Sequence, residues 1–279
     1  MAVIRYTFTG ALELLGALHI GSGGGGLAGQ DQSLTDATVV RDSRGTPYIP
    51  GSSLRGVLRS TVAQIAPTLF GQDARLADDE RTMQRLKGQA DQAVQNQRER
   101  DEECVRQEFL AARLSPLERL FGTTLWASPL HIPDLRLRDG AELAGEIRHG
   151  VGIDRDTGSA REAIKYDFEV LPRGARFTFW MRCDIPDGPP DRPDRYRTLW
   201  PQFLALGLRL LEQGELTLGG RAARGVGQVQ LTGLQVYRLD MGDRAAVLKS
   251  LLATSETDRY GVPVGNWMQQ QLTEIQRHV

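Results

Sequence analysis

Residues 36–59 read DATVVRDSRGTPYIPGSSLRGVLR, a pattern that predicts a strand, a tight turn and a glycine-serine loop that opens directly onto a helix. Ser52 or Ser53 is expected to cap that helix, and the loop would supply free backbone N–H groups. Arg55 and Arg59 stand four residues apart, which puts both on one helical face. Together these features predict an anion-binding site. Apolar residues on both sides of the loop should anchor it to the core: Val39, Val40, Leu54, Val57, Leu58, Val62 and Ile65.

Composition is that of an ordinary globular protein, with 40% hydrophobic and 25% charged residues in 279. The length suffices for one large domain or two small ones. A net charge of -1 argues against a generally basic nucleic-acid binder. The charge is uneven, however: residues 41–60 hold four arginines against Asp42 alone, and residues 219–227 hold two arginines and no acid. Local phosphate-binding patches are therefore compatible with the neutral total.

The two cysteines, Cys104 and Cys183, form no CxxC pair. A structural zinc site or a disulfide framework is therefore not expected, and a reduced cytoplasmic setting fits best. Residues 1–10 contain no uninterrupted apolar run, and no stretch approaches the roughly 20 apolar residues of a membrane span. We expect a soluble intracellular protein that does not bind membranes.

A glycine-rich stretch, GSGGGG, occupies residues 21–26 directly after His19 and Ile20. Gly21, Gly23 and Gly26 match the spacing of a dinucleotide-binding loop, but no helix-forming segment follows them. This absence disfavours a nucleotide-binding fold and favours a loop whose backbone can approach a ligand closely.

Residues 72–114 are rich in glutamine, arginine and acids, with sparse apolar positions. That composition predicts an insertion made of exposed helices or partly disordered chain. The tripeptide LFG brackets it, once at Leu69–Gly71 and again at Leu120–Gly122. Ala66-Pro67 is expected to end the preceding helix.

Residues 125–138 have a strand-like pattern, and residues 166–183 alternate clearly between apolar and polar positions. Between them, residues 151–165 carry Arg155, Arg161 and Lys165 on a segment with turn residues. We interpret this segment as a protruding hairpin, or arm. The alternative is a solvated surface hairpin without a role.

A second glycine-rich segment, GGRAARGVG at residues 219–227, separates two strand-like runs. Its glycines, including Gly220, Gly225 and Gly227, allow the main chain to meet a phosphate, while Arg221 and Arg224 can supply charge-assisted hydrogen bonds. A plain glycine-rich turn is the alternative, but it would not need two arginines without an acid.

Three further helices are predicted, at residues 196–213, 243–252 and 267–277. We divide the chain into a domain at residues 1–240 and a helical extension at residues 241–279, to which the sequence assigns no chemical role. The order of elements predicts an α+β fold with a ferredoxin-like, RRM-like βαββαβ core, a protruding β-hairpin arm and a helical insertion.

These motifs in combination resemble the RAMP superfamily of CRISPR-associated proteins, specifically the repeating backbone subunit of type III effector complexes. The resemblance covers most of residues 1–240. It rests on VVRDSRGTPYIPGSSLRGVLRS with the LFG after it, on GIDRDTGSAREAIKYDFEVLPRGARF and on GGRAARGVGQV. Three departures from the family pattern are the long glycine run, the large insertion and the absence of a cysteine-rich zinc element near LFG. They leave the subtype open.

The resemblance implies a subunit that stacks along a guide RNA and grips its phosphates, while the arm kinks the guide-target duplex. Base pairing would then read the sequence, and the protein would only position the strand. The implied partners are guide RNA, target RNA, neighbouring copies or related RAMP subunits, and other type III effector subunits. The candidate RNA-binding residues are His19, Ser52, Ser53, Arg55, Arg59, Arg155, Arg161, Lys165, Gly220, Arg221, Arg224, Gly225 and Gly227.

The resemblance also implies a catalytic role for Asp36, which occupies the place of an aspartate in family members that cleave target RNA. Its carboxylate could bind a divalent metal ion, Mg2+ or Mn2+, or help to deprotonate the adjacent 2′-hydroxyl. His19 could assist. The alternatives are a turn carboxylate at Asp36 and the rival acid Asp31, while Asp42 is expected to be a turn residue facing Arg44 or Gly45.

Two other functions stay open at this point. One is a non-catalytic scaffold subunit of the same assembly. The other is a stand-alone ribonuclease that processes guide precursor, which is disfavoured because such chemistry usually needs a positioned acid-base pair and the four histidines show no pairing in the sequence.

Overall fold

The computed structural model describes residues 3–21, 37–76, 79–97, 99–138, 143–153, 160–186, 195–255 and 257–278. The strands are β1 (Val3–Leu14), β2 (Tyr48–Ile49), β3 (Leu130–His131), β4 (Leu135–Arg136), β5 (Glu146–Ile153), β6 (Ala160–Val170), β7 (Arg176–Pro186), β8 (Leu216–Thr217), β9 (Gln228–Asp240) and β10 (Val262–Pro263). The helices are α1 (Gly51–Phe70), α2 (Glu80–Asn96), α3 (Glu102–Ala111), α4 (Pro116–Phe121), α5 (Arg195–Glu212), α6 (Arg244–Leu252) and α7 (Trp267–His278).

An antiparallel sheet forms the centre of the molecule, with neighbours in the order β10, β9, β1, β7, β3, and with β8 also paired to β9. The elements β1, α1, β3, β7, α5 and β9 follow one another as β, α, β, β, α, β. Their strands lie in the spatial order fourth, first, third, second, which is the ferredoxin-like arrangement. The α+β prediction with a ferredoxin-like core is confirmed.

The core lies between one face of this sheet and helices α1 and α5. Phe8, Leu12 and Phe177 project from the strands and are fully buried. The two helices approach closely at Gly207 of α5, where an added Cβ would lie 3.1 Å from side-chain carbons of Leu58 and Val62. This tight packing gives α1 a fixed position on the sheet.

Helix α1 departs from the sequence prediction at both ends. Ser52 and Ser53 do not cap it: the helix begins at Gly51 with Pro50 as the N-cap residue and without a side-chain cap. The carboxylate of Asp134, in the β3–β4 connection, instead accepts a hydrogen bond from the Gly51 N–H at 3.0 Å. Pro67 does not end the helix either, because α1 continues through it to Phe70.

Two ordered helices, α2 and α3, occupy most of the predicted insertion. Each begins with an aspartate cap, since Asp79 accepts a hydrogen bond from the Thr82 N–H and Asp101 from the Cys104 N–H. Met83, Ala90, Leu110 and Leu114 form a hydrophobic cluster of their own. This cluster explains how a polar segment folds beside the main core.

Both copies of the LFG tripeptide end a helix. Gly71 follows α1 with φ +58° and Gly122 follows α4 with φ +80°. Glycine adopts such angles without the steric cost that a side chain would add. The repetition therefore reflects two helix C-termini of the same kind.

The arm is a separate two-stranded sheet made of β5 and β6. It begins at Glu146, earlier than the sequence pattern indicated. The long strand expected at residues 125–138 is wrong, because the short strands β3 and β4 form there, separated and preceded by irregular chain. Pro129 and Pro133 lack the N–H that a continuous ladder needs.

The C-terminal segment packs onto the central sheet. Strand β10 pairs with β9, and the ring of Trp267 in α7 lies edge-on to Phe8 with centroids 5.1 Å apart. The predicted helices at residues 243–252 and 267–277 are confirmed as α6 and α7. Across the described residues, no helix combines the length and apolar character that a membrane span requires.

Candidate nucleic-acid interface

The glycine-arginine loop at residues 219–227 connects β8 to β9 through a single 3-10 turn, Ala222–Arg224. Gly219 and Gly227 adopt φ values of +76° and +100°. A Cβ on either would come within 2.2 Å of a backbone oxygen, that of His19 for Gly219 and that of Leu218 for Gly227. Arg221 also has a left-handed backbone, with φ +67°. Such a conformation is uncommon outside glycine and tends to occur at functional sites.

Both arginines of this loop lie over aromatic rings at the base of the arm. The Arg221 guanidinium carbon is 4.1 Å from the ring centroid of Phe168 and 5.0 Å from that of Tyr166. Arg224 lies 5.1 Å from the Tyr166 ring centroid and donates a hydrogen bond to the Tyr166 hydroxyl. A stacked guanidinium keeps N–H donors at its edge, where they can meet a phosphate. We call these four side chains, with His19, the loop–arm junction.

His19 is buried where β1 leaves the sheet and meets this loop. Its Nδ1 lies 2.7 Å from the Glu169 carbonyl oxygen, and its ring is edge-on to Phe168. Its own carbonyl accepts a hydrogen bond from the Gly220 N–H at 3.0 Å. His19 therefore connects the loop to the arm. Because its side chain is buried, we interpret it as a residue that positions the loop more than one that contacts a nucleic-acid strand.

The chain that follows Asp36 enters the same region. Ala37 forms a bridge to Phe168 on β6, and its carbonyl accepts a hydrogen bond from the Glu169 N–H at 2.9 Å. The Glu169 carboxylate accepts hydrogen bonds from the Val39 N–H at 2.9 Å and from Arg41 at 2.6 Å. Because Arg41 neutralises Glu169, the cations of the loop–arm junction keep their positive field.

Asp42 is a turn residue, as predicted. Its carboxylate accepts hydrogen bonds from the N–H groups of Arg44 and Thr46, both at 3.0 Å, and from the Arg136 guanidinium at 2.8 Å. The Thr46 N–H is the largest cause of a lowered Asp42 pKa, with further lowering from the Arg44 N–H and from Arg136 and opposition from desolvation. These bonds fasten the turn to β4, ahead of α1.

A second group of candidates lines a groove beside α1, with a volume of about 430 Å3. Ser52, Arg55, Gly56 and Arg59 form one side, and residues 121–124 form the other. Ser53 is half-buried on the same helix.

Arg55 donates a hydrogen bond to the Phe121 carbonyl of the second LFG. Burial, followed by the positive charge of Arg59, lowers the pKa of the Arg55 guanidinium. Two cations held this close favour an anion between them. The predicted arginine face is thus part of a concave surface, although Asp134 already binds the first N–H of the helix.

Some of the predicted site residues, or their side chains, are not among those that the structure describes. Asp36, Asp31 and Arg155 lie outside the described residues. Arg161 and Lys165 belong to β6, but their side chains are outside the described part. Gly220 and Gly225 are exposed in the loop next to its arginines.

Sequence reasoning missed the aromatic side of the loop–arm junction. Tyr166 and Phe168 read as ordinary members of an alternating strand. The sequence carries no signal for it before the hairpin register is known: Gly150 on the facing strand pairs with Tyr166, and a Cβ there would come 2.3 Å from the tyrosine ring. A glycine opposite an aromatic residue indicates that the ring lies flat across the strand pair.

Sequence reasoning also missed a histidine-carboxylate pair. His149 on β5 places its Nδ1 2.6 Å from a carboxylate oxygen of Asp167 on β6. The His149 side chain is 77% exposed, so the imidazole faces solvent on the arm. The two residues are cross-strand partners, a relation that appears only once the hairpin register is known.

The chemistry supported by this arrangement is anion binding. Within the ranges that the structure describes, no three or more histidine, cysteine, aspartate or glutamate side chains are grouped so that they could hold a metal ion. Asp36, the predicted possible ligand, is not in those ranges, so its metal site stays a prediction.

Comparison with known proteins identifies the family. A search of the curated proteins returned no match. The family model of the RAMP superfamily matches residues 11–230, more than three quarters of the chain, and the matched range includes the loop–arm junction and the α1 groove. The chain therefore belongs to the RAMP superfamily, which gives it a CRISPR-associated, RNA-binding role.

Proposed function

We propose that this protein is a guide-RNA-binding backbone subunit of a type III CRISPR ribonucleoprotein. The observation that carries the proposal is the loop–arm junction: a glycine loop folded onto His19, with Arg221 and Arg224 held over Tyr166 and Phe168. The partners are guide RNA, target RNA, neighbouring copies or related RAMP subunits, and other type III effector subunits.

The proposed recognition is independent of RNA sequence. Arg221 and Arg224 contact the phosphates of one strand, and Arg55 and Arg59 contact further phosphates of the same guide. Guanidinium groups bind phosphate oxygens through paired N–H donors, which fix the path of a strand without reading its bases. The arm, including Arg155, Arg161 and Lys165, inserts where guide and target are paired.

The test is the salt dependence of guide affinity. Replacing Arg55 and Arg221 together by alanine should weaken binding and reduce the slope of log affinity against log salt by about one for each lost contact. Arg209→Ala is the matched control, since that exposed arginine pairs with Glu212 on α5 at 3.3 Å. An unchanged slope in the double variant would rule out this placement of the phosphate contacts.

Target cleavage is the finer part of the proposal and rests on Asp36. The carboxylate would hold a divalent ion, Mg2+ or Mn2+, or help to deprotonate the adjacent 2′-hydroxyl. Either would promote in-line attack of that hydroxyl on the neighbouring phosphorus, with departure of the 5′-oxygen. Support comes from its neighbour Ala37, which is paired to the arm beside the candidate RNA-binding arginines.

The cleavage test uses the assembled complex with a complementary target RNA. Asp36→Ala should abolish cutting while guide content stays the same, and Asp31→Ala should leave cutting intact. Chelation with EDTA should stop the wild-type reaction. If the Asp36→Ala complex still cuts and the Asp31→Ala complex does not, Asp31 is the acid. If both variants still cut, the subunit is a scaffold and another chain carries the activity.

A precursor-processing ribonuclease is the second candidate, and one observation favours keeping it: the His149–Asp167 pair on the exposed arm. A carboxylate-oriented imidazole is a usable general base. The isolated chain should be incubated with precursor RNA. Specific cuts that His149→Ala abolishes would establish this function, and intact precursor would exclude it.

A further inference from the structure

The face of the central sheet that points away from α1 and α5 contains a hollow of about 750 Å3. In β1, Phe8 and Leu12 point to the helices, so Thr9 and Ala11 point to the other face. A volume of this size falls within the range of about 300–1,000 Å3 that is typical of ligand sites. No described residue of the proposed guide interface lines it.

Aromatic rings form the walls of the hollow. Trp180 stands on β7 directly across from Thr9, and its indole is only partly buried. On the opposite side, Tyr260 from the C-terminal segment lies against Tyr237 with centroids 5.5 Å apart. The Tyr237 hydroxyl is already committed to Gln235 at 2.6 Å. The walls therefore offer flat π surfaces at both ends.

The hollow lies at an irregularity in the strand pairing. The β1–β9 register shifts between Thr9 and Ala11, and Gly233 in the shifted part of β9 has φ +64°. Gly10 lies on the helix-facing side of β1 with Phe8 and Leu12, where an added Cβ would come 2.9 Å from the Thr232 carbonyl oxygen and 3.1 Å from the Leu231 side chain. At Gly233 an added Cβ would meet open space, so the missing side chain there leaves this part of the hollow uncovered. A β-bulge of this kind commonly reshapes a sheet next to a functional site.

The rim is polar and carries positive charge. Thr178, Thr232 and Gln235 are exposed, and Arg138 supplies a guanidinium. The Thr232 hydroxyl donates to the Ala11 carbonyl at 3.3 Å and the Gln235 amide oxygen accepts from Tyr237, so the Thr178 hydroxyl and the Gln235 NH2 group are the polar side-chain groups of these three residues that a ligand can meet. Among the residues that the structure describes, those that line the hollow include no aspartate or glutamate. An apolar partner would take the Gln235 NH2 group and the Arg138 guanidinium out of water without replacing their hydrogen bonds, and a cationic ligand would meet the positive charge of Arg138.

We propose that this hollow is a second RNA-binding site, which takes unpaired nucleotides of a single strand. A base stacks on Trp180 or Tyr260, the threonine and glutamine groups bond to base or ribose edges, and Arg138 contacts a phosphate. Stacking on aromatic side chains tolerates any base, as single-strand binding requires. The site is independent of the guide interface proposed above.

The test is a fluorescence anisotropy titration of the full chain with a labelled six-nucleotide oligoadenylate at low salt. Trp180→Leu and Arg138→Glu should each weaken binding on the order of tenfold. Arg209→Glu is the control for charge reversal and should change affinity little. If Trp180→Leu reduces the melting temperature, Tyr260→Leu tests stacking in its place. Tyr260 lies in a surface turn, so its replacement should disturb folding less.

A combined Arg55→Glu and Arg221→Glu variant separates the two sites. Binding that survives in this variant and is lost on adding Trp180→Leu supports the second site, whatever becomes of the guide interface. The inference is overturned if Trp180→Leu, Tyr260→Leu and Arg138→Glu all bind like the wild type. It is equally overturned if the combined variant alone removes all binding.

Discussion

Gly225 and Gly227 lie two residues apart in the glycine-arginine loop, yet they should tolerate a side chain differently. Gly225 has φ +73° with open space around its Cβ position, so Gly225→Ala should cost only the left-handed strain, about 1–2 kcal/mol. Gly227→Ala would also place a Cβ 2.1 Å from the Leu218 carbonyl oxygen and disturb the Gly227 N–H bond to Ala17. We expect the larger loss of unfolding free energy for Gly227→Ala by urea denaturation. Equal losses would contradict this account.

At the residue scale, Asp42 should make the stability of the protein depend on pH. Its folded-state pKa is lowered, first by the Thr46 N–H, so its stabilising effect is present above the ordinary aspartate value of about 3.9 and is lost as pH falls through the folded-state pKa. The melting temperatures of wild type and Asp42→Asn should therefore converge between neutral pH and strongly acidic pH. Carboxyl 13C titration of Asp42 checks the direction, and a midpoint at or above the ordinary value would refute it.

At the scale of elements, α1 depends on a carboxylate from a distant loop. Asp134→Ala removes the acceptor for the Gly51 N–H and should cost about 0.5–2 kcal/mol, the usual effect of losing an N-terminal cap. Asp134→Asn keeps an acceptor oxygen and is the matched control. Urea denaturation of the two variants measures the difference. If both lose the same stability, the charge and not the hydrogen bond stabilises this helix end.

The same contact shows where sequence-based prediction reached its limit. Helical spacing located α1 and α5, and alternation located β6 and β7, because these patterns are local. The cap of α1 was missed because Asp134 stands 83 positions from Gly51. The arginine stack was missed for a similar reason, since Arg224 and Tyr166 are 58 positions apart. The sequence allowed the residue types and the helix and strand faces to be predicted. It did not reveal which residues distant in sequence contact one another.

The predictable part of the candidate interface was its chemistry. Arginines among glycines without acids indicated anion binding at residues 219–227, and Arg55 and Arg59 do share a groove. The structural reason for the glycines was less predictable. A side chain at position 219 would collide with the carbonyl oxygen of His19, which is remote in sequence. Across the whole molecule, local composition therefore predicted the kind of ligand, an anion. Packing between segments that are distant in sequence decides which groups face that ligand.

At the scale of the whole molecule, the segment after residue 240 should be needed for folding. Trp267 is 4% exposed against Phe8, so Trp267→Ala should cost about 3–5 kcal/mol. A chain ending at Asp240 would uncover Phe8 and the outer edge of β9, and we expect it to lose cooperative thermal unfolding.

The matched controls are Leu251→Ser and Leu252→Ser in the same segment, whose side chains are 76% and 72% exposed and which should change stability by no more than about 0.5 kcal/mol. Calorimetry of the shortened chain, of Trp267→Ala and of the two leucine variants measures these differences in stability and cooperativity. Normal cooperative unfolding of the shortened chain would mean that the central sheet is stable without its C-terminal strand and helix.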